Sequence, residues 1–167
     1  MPPTVPTETI VATLRALIDA CQSVGFGFRD ASEGFFSPSL KVLFSDSSLR
    51  WIRCVGDLQI EMQRFDSDAL VETITTVDSQ TNRATQAVFD LNQALKTGNE
   101  IAILTTCIYG EDIVIEMYRD ALKQDFPPML FHLIDRQLAE IEAWREQLRR
   151  IREPGIIAPA VQPRHTP

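Results

Sequence analysis

Glu111 and Asp112 stand side by side in the stretch NEIAILTTCIYGEDIVIEMYRDALK, residues 99–123, and Glu140 follows in a later helical stretch. Carboxylates brought together in this way are hard oxygen donors of the kind that hold iron or manganese. Glu111 has the most unusual setting of the three. An apolar stripe runs through Leu104, Ile108, Ile115, Tyr118 and Leu122 at spacings of four and three, and Glu111 falls on that stripe. Its carboxylate is therefore aimed at the interior. A second stripe, Ile103, Ile113, Met117 and Ala121, covers another side of the same helix, which predicts a central helix buried on two faces.

A lone buried carboxylate is costly unless it is paired, hydrogen-bonded or protonated. Gln137, Ser48 and Arg29 lie on or beside the stripes of neighbouring helices and are the partners that the spacing allows. Two readings follow. Glu111, Gln137 and Ser48 form a satisfied polar layer that fixes helix register, or Glu111, Asp112 and Glu140 are what is left of a metal or small-ligand pocket.

Other chemistry finds little support. The chain contains two histidines, His132 and His165, and neither follows a glutamate by three residues, so the Glu-x-x-His step of di-iron bundles is absent. No Ser/His/Asp or Cys/His arrangement is legible, and Gly25-Phe26-Gly27 lies inside a helical pattern rather than between a strand and a helix. Cys21, Cys54 and Cys107 sit on apolar stripes without ligand spacing and read as buried reduced thiols. A net charge of −7 argues against nucleic acid. Arg145, Arg149, Arg150 and Arg152 cluster where cations complement the end of a helix. No continuous apolar run of membrane length and no secretory leader is readable, which gives the expectation of a cytoplasmic protein without a membrane partner.

The elements that position these residues are all helical. After a proline-bearing arm over residues 1–6, Thr7 is placed to cap a helix to about Phe35, with the stripe Ile10, Leu14, Leu17, Cys21, Val24, Phe28, Ala31 and Phe35. Ser37-Pro38 opens a second helix to about Arg64, with the stripe Leu40, Phe44, Ser48, Trp51, Val55, Leu58, Met62 and Phe65. A third, with Leu70, Ile74, Val77, Thr81, Ala84, Val88, Leu91 and Leu95, has a middle of weak helix propensity around Thr75 to Asn82. Gly98-Asn99 ends it and caps the central helix. The last helix follows Phe126-Pro127-Pro128 and runs to about Arg152, with the stripe Leu130, Ile134, Gln137, Ile141, Trp144, Leu148 and Ile151, and residues 154–167 form a proline-rich tail. One bundle domain over residues 7–153 is expected. Short links force neighbours antiparallel, and the helix directions, with the third set aside, are up, down, down, up.

This pattern, with the segments LRALIDACQSVGFGFRDASE, TGNEIAILTTCIYGEDIVIEMYRDALK and RQLAEIEAWREQLRRIR, resembles a bacterial family of short ferritin-like four-helix-bundle proteins of unknown function. The resemblance spans Thr9 to Arg152 and implies an all-α, ferritin-like antiparallel bundle of four long core helices with a helical crossover. It also marks departures. A Gly-Glu-Glu-Gly step usual in the family is Val24-Gly25-Phe26-Gly27 here, a His-Arg pair is missing near Thr85 and Gln86, and a usual histidine position holds Arg145. Glu111, Asp112, Gln137 and Glu140 are kept. Phe26 is expected to fill the space that ligands occupy in relatives.

The function expected is therefore non-enzymatic: a ferritin-like scaffold with a degenerate metal site and no cofactor, acting through self-association or a protein partner, with a homodimer as the specific expectation. Apolar residues off the main stripes, Val11, Ile18, Ile113, Val114 and Met117, are the suggested contact surface. The alternative is an iron- or manganese-binding oxidase or storage protein with an atypical carboxylate site at Glu111, Asp112 and Glu140.

Overall fold

A computed structural model describes residues 5–66 and 90–153. Over these residues the protein is all-α: α1 spans Thr7–Gly34, α2 Pro38–Phe65, α3 residues 90–97, α4 Glu100–Ala121 and α5 Pro128–Arg152. The stripe of the third helix from Leu70 to Val88, its weak middle and the proline-rich tail lie outside the described residues. Leu91 is buried at the described end of α3.

Helix starts and stops follow local chemistry. Asn99 caps α4, its side chain accepting from the amides of Ile101 and Ala102, and Gly98 before it takes a φ of +66°, which glycine adopts without strain. Pro38 and Pro128 occupy first-turn positions of α2 and α5, where no amide hydrogen is missed. The expectation for Thr7 is corrected. It is the first helical residue rather than the cap, and Pro6 stands at the cap without a side-chain bond.

The side-chain contacts fix the directions. Phe28 stacks on Phe44 with ring centroids 5.0 Å apart, Ser48 reaches Gly25, and α1 and α2 are antiparallel. Glu100 accepts from the amides of Phe36 and Ser37 at the far end of α1, while Gln124, just past α4, bonds Thr13 near its start. Trp51 meets Trp144 and Asp57 meets Arg136, so α5 runs against α2. The four long helices thus go up, down, down, up around the square α1, α2, α5, α4. The stripes named from the sequence point inward, and Leu14, Cys21, Phe28, Trp51, Leu58, Ile108, Tyr118 and Ile141 form one continuous core.

Two features of the packing differ from expectation. Val11, Ile18, Ile113, Val114 and Met117 are buried inside the chain, because α1 and α4 each turn two faces toward neighbours. They are not available as a contact surface. Phe26 is 42% exposed, with Arg29 5.0 Å from its ring, and fills no interior space. By length and composition α1 could cross a membrane, with a mean hydropathy of 1.2 over an 18-residue window. More than half of that window is buried against the bundle.

Candidate functional site

Two polar layers cross the core. In the lower one groups from all four long helices meet: side chains of α1, α4 and α5 and a backbone carbonyl of α2. Tyr118 on α4 donates its hydroxyl hydrogen to Gln137 Oε1 on α5 at 2.8 Å, and Gln137 Nε2 donates to the carbonyl of Cys54 on α2 at 3.3 Å. Cys21 Sγ on α1 lies 3.3 Å from the Tyr118 oxygen. Since that hydroxyl hydrogen is already committed to Gln137, the thiol is the donor. The result is one directional relay with each buried polar group satisfied. Burial pushes the Cys21 thiol and the Tyr118 phenol far above their ordinary values, and the Cys54 thiol up to about 12, so none ionises near neutrality.

The upper layer is built differently. Gly25 on α1 packs so close to α2 that a Cβ there would stand 3.0 Å from Trp51 Cβ, and Ser48 Oγ donates to the Gly25 carbonyl at 2.9 Å. Trp51 meets Trp144 of α5 edge-on at 5.7 Å. The next residue, Arg145, donates to Asp112 Oδ1 of α4 at 2.8 Å, and Gly110 lies against Val24 of α1. Within this circuit Glu111 is fully buried, and neither of its oxygens has a hydrogen-bond partner. Trp51 Nε1 and Arg145 Nε are also buried without one.

None of the three partners expected for Glu111 serves it. Gln137 is committed to Tyr118 and Cys54, Ser48 to Gly25, and Arg29 is on the surface beside Asp30 and Phe26. An ionised carboxylate in that position would cost far more than the roughly 1–3 kcal/mol of a neutral unpaired group, so the protonated form wins. Accordingly, the Glu111 carboxyl is held well above the usual carboxylate range, chiefly by burial, then by the Asp112 charge, with Arg145 opposing. Cys107, one turn earlier, is raised by burial and by Glu111.

Metal-ligand geometry fails on the same residues. Glu111 is sealed, Asp112 is half-exposed and held by Arg145, and Glu140 is on the surface of α5, where its charge acts on Cys54 of α2. The three do not converge. Among the described residues no group of three His, Cys, Asp or Glu side chains stands close enough to hold a metal ion. His132 is exposed against Phe131, and His165 lies outside the described residues. Among the described residues the carboxylates do not fit an iron or manganese centre.

Sequence reasoning placed Glu111, Gln137 and Ser48 and overlooked Arg145, Tyr118 and Trp51. Arg145 was assigned to a helix-end cation cluster, although its place on the same face as Ile141, Trp144 and Leu148 was visible. Tyr118 and Trp51 read as stripe members, and only their polar atoms, which periodicity ignores, give them a second role.

What these layers define is an all-α bundle with a sealed polar interior and a buried, unpartnered carboxyl at its centre. A family model covers residues 9–124, and the chain belongs to that family, a domain of unknown function, DUF2383. No curated protein and no solved structure matches the chain.

Proposed function

We propose that this protein is a non-enzymatic scaffold of ferritin-like type, with a degenerate metal site, that acts by associating with protein through its outer helix faces. One observation carries the reading. Val42, Leu49, Ile52 and Ile60 lie on the side of α2 turned away from the core and are between 48% and 61% exposed, at positions where a helix in contact with water alone carries polar residues. Each buried side chain of this size stabilises by about 1.5–3 kcal/mol, so four left in water are a standing incentive to associate. The interior supports the non-catalytic half of the reading, since the relay from Cys21 to Cys54 is internally satisfied and Glu111 is sealed from solvent.

Sedimentation of the full chain over a wide concentration range, followed by the same measurement on Leu49→Lys, tests it. Assembly that weakens in the variant is the expected result. A chain that stays monomeric alone, and retains no protein more strongly than the Leu49→Lys variant does, would sink the reading.

A further inference from the structure

Gly56 lies in the middle of α2, where glycine destabilises a helix by about 1 kcal/mol relative to alanine. Among the described residues nothing requires it. A Cβ at Gly25, Gly27 or Gly34 would press on Trp51, Leu91 or Leu95, whereas at Gly56 it would meet nothing within 4 Å. The open space lies on the outward side of α2, in line with Val42, Leu49, Ile52 and Ile60 at spacings that keep to one face. An outward glycine among exposed apolar residues suits a second helix that crosses at close range.

The charges on this face identify that helix. Asp46, Arg53, Asp57 and Arg64 follow one another at intervals of seven, four and seven residues along one side of the stripe. Reversing the direction leaves the intervals unchanged and exchanges every acid for a base. Two copies of α2 laid antiparallel, with a two-fold axis level with Val55, therefore set Arg53 against the partner's Asp57 and Asp46 against the partner's Arg64, each pair occurring twice. In the same register Leu49 comes within one residue of the partner's Ile60, and Ile52 within two residues of the position opposite the partner's Gly56. Asp46 and Arg53 form no ion pair among the described residues. Asp57 and Arg64 make only long, half-exposed pairs, at 3.5 Å with Arg136 and 3.6 Å with Glu61. The face is neutral on a chain of net charge −7, so it is a surface on which two copies do not repel.

We propose that the outer face of α2 is a self-complementary homodimer interface, crossing at Gly56 and set in register by the Arg53 to Asp57 and Asp46 to Arg64 pairs. This rests on the association reading and names its partner, a second copy of this chain. An isologous contact of this kind needs one patch that matches itself when turned about a two-fold axis, and the alternation of acid and base supplies it.

The test uses two charge variants of the full chain, Arg53→Asp and Asp57→Arg, in analytical ultracentrifugation with one partner fluorescently labelled. Alone, each variant faces itself with like charges, and its dimer dissociation constant is expected to rise at least about tenfold. Mixed, the two present opposite charges, and a heterodimer within about threefold of the wild-type constant is expected. Gly56→Leu adds an independent readout, since it should weaken the dimer while raising the helix content or thermal midpoint of dilute protein. A wild-type dimer that ignores all three substitutions would overturn this inference and leave the association reading standing. A wild-type chain that is monomeric at every concentration would overturn the homodimer too. The association reading would then depend on a different protein, captured by wild type and lost with Leu49→Lys.

Discussion

Arg145 Nη1 donates to Asp112 Oδ1 at 2.8 Å, so this cation of the upper polar layer bonds the half-exposed carboxylate and leaves its buried neighbour, Glu111, without a hydrogen bond. Asp112 both raises the Glu111 carboxyl by its charge and holds the cation that would lower it. Asp112→Asn should act on both, and the Glu111 titration midpoint should fall. Carbon-13 chemical shifts of the glutamate carboxyls across a pH series read this directly, and an unmoved midpoint would show that burial alone sets it.

The same carboxyl makes stability depend on pH. Its folded value lies above the unfolded one, so the folded state holds a proton that the unfolded chain has released. Stability is therefore full below the ordinary glutamate value, about 4.3, and is lost as pH rises toward the higher folded value, at up to about 1.4 kcal/mol per pH unit. In Glu111→Gln this fall should be missing, and urea unfolding of the two proteins at several pH values should give curves that diverge upward from pH 4.3. Parallel curves would mean that Glu111 ionises in the fold as readily as outside it.

Removal of the hydroxyl in Tyr118→Phe should leave Gln137 Oε1 and the Cys21 thiol unpaired in a dry core, at a cost of about 1–3 kcal/mol. Gln137→Leu should cost a similar amount, and the double variant less than the sum, since each change orphans the other's partner. A double-mutant cycle by chemical denaturation measures the coupling, and strict additivity would break the relay into independent contacts.

Glycine position decides the sign of a small substitution. Gly25→Ala places a Cβ 3.0 Å from Trp51 Cβ at a tight helix crossing, and should destabilise the protein by about 1–3 kcal/mol. Gly27→Ala meets only the end of the Leu91 side chain, 3.1 Å away, and should be milder. Thermal midpoints of the two variants in the same buffer are the check, and equal losses would contradict the packing difference.

Elemental mass spectrometry on untagged protein from iron- and manganese-replete cells should find no near-stoichiometric metal, because Glu111, Asp112 and Glu140 point to three different places. Stoichiometric metal that is lost in Glu111→Ala would restore the oxidase or storage reading.

Periodicity made much of this fold legible. The stripes in α1, α2, α4 and α5 each mark the buried face, and a carboxylate on the α4 stripe identified Glu111 before any coordinates. Two things escaped it. Hydrophobic spacing reports which face is inside and not which polar atom bonds which, so Tyr118 with Gln137, and Arg145 with Asp112, had no signature. Nor does it register an apolar line on the outer face of a helix that already has a stronger inner one. In α2 the buried run through Phe44, Trp51, Leu58 and Met62 hid the weaker run through Leu49 and Ile60. The exposed Phe26 is a third case, where a gap in the resemblance suggested a filled interior that the backbone, drawn tight at Gly25, leaves no room for.

The helix square has one seam unlike the others. α1 and α2 lie almost backbone to backbone at Gly25, whereas α2 and α5 are kept apart by the Trp51 and Trp144 rings and joined by the long reach of Gln137 to Cys54. A close α1 to α2 crossing beside a seam held by two indole rings and one amide should make separation of α5 from α2 cheaper than separation of α1 from α2. The Gln137 bond to the Cys54 carbonyl ties that seam, so opening there should break this bond while the Gly25 crossing stays closed.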